Sequence, residues 1–65
     1  MNTIYITNKY SEEDDLVFIE HIASIYMEQD TVVVRLDNGH RIYTLFKSVK
    51  DAHDEIKAAI THGIA

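Results

Sequence analysis

The chain has no cysteine, no proline and no tryptophan among its 65 residues, and only two glycines. Without cysteine there is neither a disulfide nor a thiolate zinc site. With Gly39 and Gly63 alone, no glycine-rich loop can cradle a nucleotide's phosphates. Basic residues are also scarce: six Lys and Arg stand against eleven Asp and Glu, a net charge of −5 with His neutral. That balance argues against a general nucleic-acid binder, which needs cations against phosphate, and against docking on an anionic membrane. It permits a protein partner with a basic surface. No apolar run approaches the roughly 20 residues of a membrane span. The first residues lack the basic-then-apolar pattern of a secretory signal, so a cytoplasmic protein is expected.

Groups for chemistry are equally thin. The four histidines, His21, His40, His53 and His62, include no pair at the i, i+4 spacing of a helical zinc site. His53 falls inside an apolar helical stripe and reads as a core-edge histidine rather than a catalyst. Asp54 and Glu55 are adjacent, and successive helix residues point about 100° apart, so they do not converge on one substrate. Ser11, Ser24 and Ser48 lack a nucleophile's sequence context. Tyr5, Tyr10, Tyr26 and Tyr43 suggest strand packing more than base stacking, given so few cations. No catalytic, cofactor or metal residue is assigned, and the chain is read as a non-enzyme.

What is present is a pattern of strands. Apolar residues make up 46%, which argues for a packed domain rather than disorder. The strongest signal is Thr31–Phe46, two β-rich runs flanking Asn38-Gly39, the preferred pair for a two-residue type I′ turn. That turn sets Leu36 opposite Arg41, Arg35 opposite Ile42 and Val34 opposite Tyr43. Upstream, Gln29-Asp30 is a weaker two-residue turn, pairing Met27 with Val32, Tyr26 with Val33 and Ile25 with Val34. Together the two turns gather Ile25, Met27, Val32, Val34, Leu36, Tyr43 and Leu45 on one core face. The opposite face carries Tyr26, Val33, Ile42 and Phe46.

The N-terminal part reads as a strand at Thr3–Thr7, an acidic loop at about 8–15 and a second strand from Leu16. A bend or bulge is needed between His21 and Ser24 to reconcile the apolar spacing. Ser48 with Asp51 resembles a capping box, opening an amphipathic helix at about 48–61. Its apolar stripe is Val49, Ala52, Ile56, Ala59 and Ile60. Gly63 suits a C-terminal cap. The expectation is one α+β domain over residues 1–65: a mainly antiparallel meander of four to five short strands, with one C-terminal helix packed on it.

Ile19–Ile25, Asp30–Val34 and Asp37–Tyr43 resemble the small bacterial flagellar proteins of the FlbD type, which have a β-meander, an Asn-Gly hairpin and a C-terminal helix. The likeness spans roughly Leu16 to Ile60 and implies a small accessory protein without enzymatic activity. The long acidic segment after the first strand, and the lack of a Pro before Asp30, depart from that pattern.

Two functions suit these features. The first is a non-catalytic protein–protein interaction module, whose contact face of Tyr26, Val33, Ile42 and Phe46 forms a homodimer or else docks a protein partner. The alternative is a small acidic inhibitor of phage or plasmid type. Its Glu12, Glu13, Asp14 and Asp15 would occupy the basic groove of a nucleic-acid-binding protein.

Overall fold

A computed structural model describes residues 2–64, with side chains described for 2–60. Strand β1 (Thr3–Thr7) turns back into β2 (Asp14–Phe18), and a short 3₁₀ turn (Ile19–His21) leads on. Then come β3 (Ile22–Glu28), β4 (Thr31–Leu36), β5 (Arg41–Tyr43) and the helix α1 (Val49–Ile64). All pairings are antiparallel. β1 and β2 form one sheet, and β3-β4-β5 form a second. The sheets meet where Asn8 bridges Thr44 and the Lys9 N–H donates to the Tyr43 carbonyl at 2.7 Å. The α+β class expected from the sequence is what the chain adopts.

The core lies where the two sheets face each other. Ile6 and Val17 from the first pack with Val34 and Ile42 from the second, and Ile4, Ile22, Ile25, Leu36 and Phe46 close around them. The helix lies against β1 and β3 and buries Ala52 and Ile56. Ser48 caps it, its Oγ accepting the Asp51 N–H at 3.1 Å and its carbonyl the Ala52 N–H at 3.1 Å. The helix continues through Gly63 to Ile64, so that glycine does not end it.

The β3–β4 register matches the expectation at every pair: Met27 with Val32, Tyr26 with Val33, Ile25 with Val34. The expected irregularity is a shift between Ile22 and Ser24. Gln29 and Asp30 have φ of 47° and 65°, the paired positive values of a type I′ turn.

The β4–β5 hairpin departs from the expected register. Arg35 pairs with Arg41, Val34 with Ile42 and Val33 with Tyr43. The loop is three residues long: the Leu36 N–H donates to the His40 carbonyl at 2.8 Å, and the Gly39 N–H to the Leu36 carbonyl at 3.0 Å. Asn38 keeps negative φ, and only Gly39 is left-handed, at φ 90°. This is a turn followed by a glycine bulge, the other common use of Asn-Gly in hairpins. A local contact supports the longer loop. Asn38 spends its side-chain oxygen accepting the His40 N–H at 2.8 Å, an Asx turn that fits a longer loop.

A one-residue slip exchanges the two faces of a strand. Ile42, expected on the outer face, is buried in the core, and Tyr43, expected in the core, lies outside. Leu45 is also misplaced by the expected register: it follows the last strand and is 60% exposed. His53, expected at the core edge, is exposed on the helix, with its Nδ1 3.8 Å from Asp54.

Candidate interaction surfaces

The first strand pair alternates strictly. Ile4 and Ile6 face inward with Val17, whereas Tyr5 faces outward. Tyr5 stands directly opposite Leu16, and Thr3 opposite Phe18. Tyr5, Leu16 and Phe18 are all exposed, so the outward face of β1–β2 carries a contiguous apolar strip. Leu45 prolongs it, because Tyr5 and Leu45 line one groove of about 110 Å³ with Thr44 and Phe46. At the other end Leu16 and Phe18 line a groove of about 260 Å³ with His21, Leu36 and Asp37.

His21 sits at the rim of this second groove. Its Nδ1 is 2.8 Å from the Asp37 carboxylate, and its ring meets Phe18 edge-on at 6.3 Å. The Asp37 N–H also donates to the His21 carbonyl at 2.8 Å. The hydrogen bond to Asp37, reinforced by that residue's charge, raises the His21 pKa. A raised folded-state pKa stabilises the fold fully below the ordinary value of 6.5 and loses that contribution as pH rises through the folded value. The expected outcome is that the His21 ring titration, followed by NMR, moves down toward its ordinary value in Asp37→Asn. The melting-temperature gap between the two proteins should narrow as pH rises past neutrality. An unmoved midpoint would show that Asp37 does not hold the ring.

The four residues expected to form a contact face do not share one. Tyr26 and Val33 lie on the outer face of the second sheet, but Val33 is fully buried. Ile42 is in the core, and Phe46 packs against it. The outer face presents Ser24, Arg35 and Arg41 in one row and Tyr26, Val33 and Tyr43 in the next. Tyr10 reaches this face from the β1–β2 turn, meeting Tyr43 edge-on at 5.5 Å. A hydrogen bond to Glu28 raises the Tyr43 pKa, and one with Tyr26 raises that of Arg41.

The acidic residues are also distributed differently. Asp14 and Asp15 belong to β2 rather than to a loop. Asp14 accepts the Thr7 hydroxyl at 2.7 Å, and Asp15 turns to the opposite side of the strand. Only Glu12 and Glu13 occupy the turn. That turn is tightly tied: the Asn8 side chain accepts the Tyr10 and Ser11 N–H groups at 2.9 and 3.3 Å. The Asn8 N–H donates to the Glu13 carbonyl at 2.8 Å, and the Glu12 N–H to the Asn8 carbonyl at 2.8 Å. On the helix, Lys50 pairs with Asp54 at 2.8 Å on a solvated mixed face.

Among the described residues no three His, Asp or Glu side chains gather as a metal site would require, and no helix is long and apolar enough to cross a membrane. Comparison with family models, with curated proteins and with solved structures returned no match.

The sequence reading places strands at Thr3–Thr7 and from Leu16 but assigns them no pairing and no faces, so it does not bring Tyr5, Leu16 and Phe18 together. The signal was there in the alternation Thr-Ile-Tyr-Ile-Thr, which puts Tyr5 opposite in direction to Ile4 and Ile6.

Proposed function

We propose that this chain is a non-catalytic interaction module that self-associates through the outward face of β1–β2. The observation that carries the reading is the unbroken strip Phe18, Leu16, Tyr5 and Leu45, with a groove at each end. Single exposed apolar residues are ordinary, but a contiguous group usually marks a contact. Thr3, Thr7, Asp14 and Asp37 around it supply a polar rim. A domain this small has a limited core, and with no cross-link available self-association is a common support. Tyr5 and Leu16, opposite each other, can form the centre of a two-fold contact in which each Tyr5 covers the other copy's Leu16.

The test is mass by light scattering over a range of concentrations, for wild type and Leu16→Lys. Leu16 is exposed, so the substitution leaves the monomer folded and places a charge at the contact. Wild type should be dimeric and Leu16→Lys monomeric with an unchanged circular dichroism spectrum. A wild type that is monomeric at every concentration overturns the reading.

The tied acidic turn favours a second reading. Glu12 and Glu13 are held on a rigid tip, which lowers the ordering cost of presenting carboxylates to a basic groove. Capture of such a partner would fall steeply with salt, because exposed charges are screened over about 10 Å at 0.1 M.

A further inference from the structure

The outer face of β3–β5 holds an arrangement that self-association through β1–β2 does not use. Arg35 and Arg41 are direct cross-strand partners in an acidic protein. Like charges set opposite each other on a sheet are destabilising. Among the described residues neither guanidinium is in an ion pair with a carboxylate. The acid nearest in register, Glu28, is engaged by the Tyr43 hydroxyl. The Arg41 pKa is raised, by Tyr26 first and by the Glu28 charge only as a smaller cause. The two arginines, with Ser24, Tyr26 and Gly39, line an open cleft of about 550 Å³.

We propose that this cleft binds a phosphate monoester, clamped between Arg35 and Arg41 with the Ser24 hydroxyl as a further donor. The planar fork of a guanidinium matches phosphate oxygens two at a time. Two guanidinium charges balance a monoester, which carries about −1.5 to −2 at neutral pH; a lone carboxylate leaves one of them uncompensated. A nucleic-acid strand offers one charge per phosphate and meets repulsion from the rest of this chain, whose net charge is −5.

The experiment titrates isotope-labelled protein with inorganic phosphate at constant ionic strength and follows backbone amides by NMR. Saturable shifts are expected at Ser24, Gly39 and Arg41, together with a rise in melting temperature. In Arg35→Gln and Arg41→Gln, both on the solvent side of the sheet, affinity should fall about tenfold or more. Arg35→Lys, which keeps the charge but not the fork, should lie between. Phenyl phosphate and adenosine monophosphate identify the source: tighter binding of the first indicates a phosphorylated side chain, of the second a nucleotide, and equal affinities the free phosphate group. Acetate shifting the same amides as strongly as phosphate, or titrations unchanged by either glutamine substitution, overturns the proposal. An oligothymidine that binds more tightly than any monoester overturns it as well.

Discussion

Replacing Ile42 by Ala is expected to cost about 2–5 kcal/mol, whereas Leu45→Ala should cost less than about 0.5 kcal/mol. Both residues belong to the segment after Gly39, and a two-residue turn would reverse their roles. Ile42 is 1% exposed and touches Ile6, Val17 and Val34 across the interior, whereas Leu45 is 60% exposed. The first truncation leaves a cavity that strands and helix cannot close without moving; the second removes atoms already in water. In a chain of 65 residues the larger figure approaches the whole stability of a small domain. Urea unfolding followed by circular dichroism measures both. Equal losses, or a larger loss at Leu45, would mean that the β4–β5 register is not the one described.

That contrast also marks how far the sequence could be read. Strand positions, the bulge after Ile22, the Ser48 cap and the buried helix face of Ala52 and Ile56 follow from alternation, β-branching and capping chemistry, all local properties; the division into two sheets does not. The two hairpin turns show the limit. Gln29-Asp30, with no glycine, adopts the type I′ conformation, since the flanking pairs Met27–Val32 and Glu28–Thr31 leave it two residues to close the chain. Asn38-Gly39, the better two-residue sequence, instead lies in a three-residue loop. Turn propensity is a local preference for a conformation, set by the two central residues. Burying Ile42 rather than Tyr43 is worth more, because the alternative places a phenol in an apolar interior without an assured partner. Packing therefore decides the register, and packing is not visible in a dipeptide.

The candidate surfaces depend on that same step. In the two-residue register Arg35 faces Ile42 and no arginine pair exists. The slip sets Arg41 beside it and carries Tyr43 out to the tyrosine row. The apolar strip on β1–β2 was closer to legible, since alternation alone puts Tyr5, Leu16 and Phe18 outward. What the sequence lacked was the pairing, Tyr5 with Leu16, that makes them contiguous.

Val33→Asp is expected to leave the chain largely unfolded at 25 °C. At the sequence level Val33 belongs to a contact face, and a charge there would change assembly while sparing the fold. In the structure it is 0% exposed although it lies on the outer side of the sheet. Two tyrosines account for this: Tyr26 and Tyr43 are its cross-strand neighbours on either side, and Tyr10 closes on Tyr43. The Lys9 ammonium, donating to Thr31 Oγ1 at 2.9 Å, ties the β1–β2 turn down over the same region. Aspartate is the decisive replacement, because a lysine stem is long enough to carry its charge out between the rings. A short carboxylate has no such exit, and burying it without a partner costs several kcal/mol. Far-ultraviolet circular dichroism and amide dispersion in a one-dimensional proton spectrum give the reading directly. A folded Val33→Asp with wild-type melting would mean that water reaches this position, that the tyrosine cover is open, and that the outer sheet face is available for contact after all.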